Sequence, residues 1–342
     1  MEKFRLGVIG CGGMSETHMG GFHFLDDICK VTAVCDIDTE RAKKAACITG
    51  AGFVTDDYRK MADEVDCVLV VLPHHLHFEC GMFFLDQGKH VLMEKPLCNT
   101  EDECLALAGE ADKRGLTLMC AYPVRYWDGI QLLKKLLDSG DYGEIFQMSI
   151  WTEQYTDTEK EWTRSAKTLG GGQLFSHGCH YIDLLLWFLG NPVSGVHVGS
   201  KKGTPWMDKE GNSNVIITFE NGAMGYHFGT WGARGTTHGY DFQVFTDKGF
   251  FDYNLGSKAL IYKSNLGPNP GPVGETIWRF GDSGKQTQYE TRHFLECIRD
   301  GKKPLTDAYS SLQGLRVIWR LYEAERKNEM ADLRGLGFSN KY

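Results

Sequence analysis

Gly10-Cys11-Gly12-Gly13-Met14-Ser15 directly follows a short apolar run and opens a segment of helical spacing. There a glycine-rich turn can bring backbone N–H groups and a helix N-terminus up to a pyrophosphate. Ser15 stands where the G-x-G-x-x-G pattern has its third glycine. Asp36 ends the next apolar run, where an acidic side chain can accept from the adenosine ribose hydroxyls. Ile37 follows it with no adjacent arginine or serine to hold a 2′-phosphate, so NAD is expected rather than NADP. Arg41 can reach toward the adenine or that phosphate, or sit as a solvated helix residue. Leu72-Pro73-His74-His75-Leu76-His77 closes another apolar run, and His74 and His77 are expected to line the nicotinamide side while His75 faces water. Neither a fixed ligand spacing nor a carboxylate cluster completes a metal site around them, so no metal is expected. Glu94-Lys95-Pro96 follows a further strand, and an ammonium at Lys95 would favour the alkoxide that develops as hydride leaves carbon. His177, His180 and Asp183 fall at successive three-residue steps, which share a face if 175–189 is helical. His180 can then take a hydroxyl proton in one direction and return it in the other, with Asp183 orienting it or pairing with a basic group elsewhere. The same stripe is also a spacing on which a divalent metal could bind.

The elements that must position these groups change character along the chain. Leu6–Ile9, Val31–Cys35, Cys67–Leu72, His90–Met93 and Leu116–Cys120 read as near-continuous apolar strands separated by helices, which implies a parallel sheet covered on both faces. Thr100 with Glu103 makes a capping box ahead of Cys104–Ala108. Beyond residue 122, strands over 145–152 and 193–201 join hairpin signals at Glu220-Asn221-Gly222 and Asp247-Lys248-Gly249. Helices are expected at 128–139, 175–189, 289–300 and 308–327. The fold class is α/β: an N-terminal doubly wound Rossmann sheet over 1–122, then an α+β domain with a largely antiparallel open sheet over 123–342.

The 342 residues exceed the usual size of one hydrophobic core, which also argues for two domains. A net charge of −8 without a basic run disfavours nucleic acid as a partner. No stretch approaches membrane-spanning length, and the start reaches the glycine turn before it could build a signal-peptide core; a cytoplasmic location is expected. Eleven cysteines without a C-x-x-C pair read as buried free thiols of a reducing compartment.

Together the Gly10-Cys11-Gly12-Gly13 turn, Leu72-Pro73 with His77, Glu94-Lys95-Pro96, Gly170-Gly171-Gly172 leading to Gly178-Cys179-His180-Tyr181-Ile182-Asp183, and His293-Phe294-Leu295 through Asp300-Gly301-Lys302-Lys303-Pro304 resemble the glucose–fructose oxidoreductase, inositol dehydrogenase and rhizopine-catabolism (Gfo/Idh/MocA) family over nearly the whole chain. The resemblance implies NAD-dependent oxidation or reduction of hydroxyl carbons in sugars and polyols, a homo-oligomer held partly by the open sheet, and catalytic roles for Lys95 and His180. It departs at Ser176, where the family's Asp-x-Gly-x-His-x-x-Asp has its first carboxylate. His177 or Glu153 can supply the missing base; alternatively Lys95 and His180 suffice and Ser176 bonds the helix backbone.

Arg125, Glu153, Tyr155 and Trp162 are the groups expected to read substrate, aromatic faces covering a sugar ring and polar groups its hydroxyls. Glucose, a glucoside or an inositol all suit them, and the family resemblance, with the usual Asp missing, implies C3 of a glucoside as one site of oxidation. Two other functions share the pattern: a glycosidase or redox-neutral oxidoreductase that recycles tightly bound NAD, for which His177 or Tyr155 would be a second base, and a non-catalytic NAD-sensing regulator. Retention of Lys95 and His180 together argues against the last.

Overall fold

A computed structural model describes residues 2–157, 161–264, 274–281 and 285–338. The chain opens with β1 (Phe4–Ile9), α1 (Gly13–Gly20), β2 (Cys29–Cys35), α2 (Thr39–Thr49), β3 (Phe53–Thr55), β4 (Cys67–Val70), α3 (His77–Asp86), β5 (His90–Glu94), α4 (Glu101–Arg114) and β6 (Leu118–Ala121). The six strands form one sheet in the order β3-β2-β1-β4-β5-β6, every pair parallel. β4 is buried along its whole length, as a strand covered on both faces must be. β3 was not expected: three residues are too few to show a period. The capping box forms as read, with the Glu103 N–H donating to Thr100 Oγ1 at 3.3 Å and the Thr100 N–H to Glu103 Oε2 at 3.1 Å.

Next come α5 (Asp128–Asp138), β7 (Ile145–Glu153), the single-turn helices α6 (Glu161–Arg164) and α7 (Ala166–Leu169), α8 (Cys179–Leu189), β8 (Pro192–Ser200), β9 (Asn212–Phe219), β10 (Met224–Thr230), β11 (Tyr240–Thr246), β12 (Gly249–Asn254), β13 (Ala259–Ser264), β14 (Glu275–Arg279), α9 (Thr287–Asp300), α10 (Ala308–Lys327) and β15 (Ala331–Asp332). A second, nine-stranded sheet runs β14-β13-β12-β11-β7-β10-β9-β8-β15, antiparallel except where β10 lies parallel to β7. Met148, Ile150, Phe242 and Val244 face the core, whereas Ile216 and Val198 are exposed. Both expected hairpins are present, β9–β10 and β11–β12. The helix expected over 175–189 is instead one π-helical turn, Leu174–Gly178, running into α8.

The chain divides into two compact units. One compact unit comprises Met1–Tyr126 and Lys285–Leu312, and the other Trp127–Gly284 and Gln313–Tyr342. The segment after residue 284 returns to the first unit because it completes that unit's hydrogen bonding: the Cys120 N–H donates to the Thr306 carbonyl at 2.9 Å, and Thr306 Oγ1 donates back to the Cys120 carbonyl at 2.7 Å. Phe294 and Leu295 of α9 join the same core as Leu6, Val8 and Leu92.

Candidate active site

In the first unit, Gly10 takes a φ of +85°, and a Cβ there would stand 2.2 Å from the Val71 carbonyl oxygen, so only glycine fits beside the end of β4. A Cβ on Gly12 or Gly13 would meet nothing within 4 Å, which leaves the start of α1 open to an approaching group. Ser15 does not take the third glycine's part; it is buried and its hydroxyl donates to the Gly10 carbonyl, pinning the turn to the helix. Asp36, half-buried at the end of β2, accepts the Cys11 N–H on Oδ2 at 2.7 Å and the Asp38 N–H on Oδ1 at 2.8 Å, leaving further lone pairs for hydroxyl donors. Ile37 beside it is 92% exposed, an apolar side chain open to solvent. Arg41 lies on α2 and pairs with Asp38 at 3.2 Å. A glycine cradle with open N–H groups and a carboxylate at the next strand end fits a dinucleotide.

The ends of β4 and β5 hold the next groups. Leu72 packs against the Gly10 turn, and Pro73 precedes the short 3-10 turn His74–Leu76, in which His74 is buried. His77 is fully buried between the two strand-end turns, with Nδ1 2.9 Å from the Pro96 carbonyl and Nε2 2.9 Å from the Leu72 carbonyl, so its neutral form donates to one of them at a time. Burial holds its imidazole below the ordinary range despite those carbonyls. Lys95 follows β5, its N–H donating to Glu94 Oε2 at 3.1 Å, and its bond to Pro96 is cis. Met14 accepts from Lys285 on Sδ at 3.7 Å.

Sequence reasoning missed what lies behind Glu94. Its Oε1 accepts from Nε2 of fully buried His18 at 2.9 Å, and Glu290 of α9 is also fully buried, with neither carboxyl oxygen partnered among the described residues. Burial acts to raise Glu94, but the His18 hydrogen bond and the charges of His18 and Lys95 outweigh it and hold the carboxyl below the usual range. Glu290 goes the other way, pushed well up by burial and then by the Glu94 charge, with Lys285 only partly offsetting them. Residues 18, 94 and 290 share no local spacing that could have announced them.

In the second unit the π-helical turn carries His177 and leads to His180, with ring centroids 6.0 Å apart. His180 and Asp183 are both buried in α8. His177 is half-buried: Nδ1 lies 3.4 Å from Gln173 Nε2, and Nε2 lies 3.3 Å from the Tyr240 hydroxyl, which itself donates to Gln154 Oε1 at 2.6 Å. With Tyr240 donating to Gln154, the His177 proton sits on Nε2 and Nδ1 accepts from Gln173. Tyr240 carried no local signal; the register that sets it opposite Thr152 brings it here. Beneath, Tyr181 stacks on His227 at 5.0 Å, and burial, with His197, pushes that imidazole down to about 3.

The turn itself is clamped from outside. The Tyr322 hydroxyl accepts the Gly172 and Phe175 N–H groups at 3.3 and 3.2 Å and donates to Glu210 Oε1. Glu210 in turn accepts from the Leu174 N–H at 3.3 Å, and burial raises its carboxyl above the usual range.

Of the expected substrate groups, Glu153 at the end of β7 accepts from the Thr236 hydroxyl. Tyr155 is 51% exposed, with the Arg234 guanidinium 5.1 Å from its ring centre and Trp206 edge-on at 5.7 Å. Trp162 packs against Leu169, Met207 and Trp231. Arg125 lies in the first unit, is 1% exposed, and donates from Nη1 to the Leu305 carbonyl at 3.1 Å, which braces the 305 segment. Among the described residues no group of three or more His, Cys, Asp or Glu is arranged to hold a metal.

Comparison with known proteins meets this geometry at both units. The oxidoreductase family, NAD-binding Rossmann fold, matches residues 4–122, and the GFO/IDH/MocA C-terminal domain matches residues 130–252. Inositol 2-dehydrogenase 2 of Saccharopolyspora erythraea is 30% identical over 309 residues, covering 89% of this chain and 81% of that protein. scyllo-Inositol 2-dehydrogenase (NADP(+)) IolW of Bacillus subtilis is 27% identical over 91% of this chain and 76% of its own length. A solved structure of levoglucosan dehydrogenase in complex with NADH superposes with a TM-score of 0.88 at 21% identity, covering 97% of this chain and 99% of that one. The chain therefore belongs to the Gfo/Idh/MocA family of NAD(P)-binding oxidoreductases that act on sugars and polyols.

Proposed function

We propose that the protein transfers a hydride between NAD and a secondary hydroxyl or ketone carbon of a sugar, glycoside or inositol. The observation that carries this reading is the row of groups along one sheet edge: the open glycine turn after β1, Asp36 after β2 and Lys95 after β5. Asp36 and exposed Ile37, with Arg41 already paired to Asp38, suit an unphosphorylated adenosine ribose, so NAD is preferred over NADP. NAD when bound supplies the hydride acceptor. Lys95 donates to the substrate oxygen and stabilises its negative charge, and His180 takes up the hydroxyl proton. Glu153, Tyr155 and Trp162 contact the sugar. The polypeptide works in the cytoplasm as a homo-oligomer.

The test is incubation with NAD and a panel of glucose, methyl glucosides, inositols, levoglucosan and their keto forms, following NADH and products together. Lys95→Ala should lower kcat at least about 100-fold with NADH binding retained. Wild-type turnover in that variant, or tight NAD binding with silence across the panel, would overturn the reading. One observation favours a second: His177, held by Gln173 and Tyr240 within 6.0 Å of His180, is a second base of the kind that glycoside cleavage on recycled NAD requires. Product without net NADH would select it.

A further inference from the structure

The sheet order fixes which end of a dinucleotide each strand meets. Asp36 lies at the carboxyl end of β2 and the glycine turn at that of β1, so a dinucleotide held there would extend its nicotinamide half over the ends of β4 and β5. At the β5 end sit Glu94 and Lys95. The groups facing Glu94 are His18 from α1, His77 from α3, the adjoining Lys95, Lys285 just before α9 and Glu290 from the first turn of α9. An oxidised nicotinamide ring carries a positive charge and a reduced one is neutral, so a fixed anion near the ring separates their affinities and a fixed cation opposes it.

We propose that Glu94 is the counter-charge that sets the preference of the site for oxidised over reduced cofactor, and that buried His18 is the positioning residue that holds it in place. The inference rests on the reading of the β4 and β5 ends as the nicotinamide side. Two geometric facts carry it. Glu94 has one oxygen bonded to His18 and the other to the Lys95 N–H, so its carboxylate is fixed relative to the lysine. A second acid, Glu290 of α9, is fully buried with no donor among the described residues and feels the Glu94 charge. Two carboxylates cannot both ionise cheaply there, and burial with the Glu94 charge pushes Glu290 toward its neutral form. The cluster thus presents one buried anion, not two, and His18 decides which carboxyl it is.

The experiment measures affinities rather than turnover. NADH binding is followed by its fluorescence, NAD+ by competition, from about pH 5.5 to 8.5, with NADPH and NADP+ as the probes if those bind more tightly. Glu94→Gln should move the ratio of the two affinities toward the reduced form at least about fivefold at every pH. His18→Leu should match wild type at the alkaline end and approach Glu94→Gln as pH falls, because a carboxyl without its His18 hydrogen bond takes up a proton sooner. His18→Gln, whose amide can donate to Oε1, should restore most of the wild-type behaviour. Should His18→Leu fail to fold, His18→Asn, too short to reach Oε1, makes the same comparison. An unchanged ratio in Glu94→Gln, or His18 variants that weaken both forms equally without pH dependence, would overturn the proposal. Loss of the proposed function would appear instead in the Lys95→Ala turnover assay, with these ratios untouched.

Discussion

Glu290 illustrates how a single side chain can carry a pH dependence that no exposed acid would. Its carboxyl is raised in the folded protein by burial and by Glu94, so the stability it contributes is complete below the ordinary carboxylate pKa and is lost as pH rises toward the folded value. Glu290→Gln removes that loss. Chemical denaturation of both proteins at about pH 5, 6 and 7 should show the variant gaining on wild type by up to about 1.4 kcal/mol per pH unit. Parallel curves would mean that Glu290 is ionised in the fold. At this scale the sequence disclosed groups whose chemistry depends on their immediate neighbours. Gly10, Asp36 and Lys95 each follow a strand, and that adjacency is written locally. It disclosed nothing of His18, because an imidazole on a helix becomes a partner of Glu94 only once the first helix and the fifth strand are packed. Nor could it disclose that Arg125, an arginine among aromatics, bonds the Leu305 carbonyl 180 residues away.

The element that matters most to the second unit is the π-helical turn, and it is held by a hydroxyl more than a hundred residues away. Tyr322→Phe deletes that hydroxyl, strands the Gly172 and Phe175 N–H groups and removes a donor from Glu210. Thermal unfolding should register a loss of about 1–3 kcal/mol, and kcat should fall while NADH affinity stays unchanged, because the cofactor groups belong to the first unit. If the turn were self-supporting, neither quantity would move. Strands with unbroken apolar runs, such as β4 and β5, were legible, and so were the two hairpins. β13 and β14 were not, since partly exposed strands near a sheet edge lose the clean alternation that marks a half-buried one. The π-turn was invisible too, because one extra residue per turn leaves an apolar helix start looking like any other.

Across the whole molecule the eleven cysteines are all free thiols, and only Cys47 is exposed. Burial raises Cys11, Cys29 and Cys35 to about 12, so none of these is a thiolate at neutral pH. Titration of the native protein with a thiol-specific chromogenic disulfide should give one fast equivalent, lost in Cys47→Ser, and all eleven after unfolding. Two or more fast equivalents in the native state would show that the packing around the buried thiols opens readily. The overall class was legible because helices alternating with apolar strands leave few alternatives to a doubly wound sheet. The return of residues 285–312 to the first unit was not, since nothing in α9 says which of two cores its apolar face will join. That return has a consequence for synthesis. The first stretch of the dinucleotide-binding unit ends at Tyr126, yet its last segment, closing at Leu312, is made about 190 residues later, some 10–40 s at ordinary elongation rates. Until then the Cys120 N–H awaits the Thr306 carbonyl and the core awaits Phe294. The nascent chain must therefore hold an incomplete cofactor unit in waiting while the other is built, and the two mature nearly together rather than one after the other.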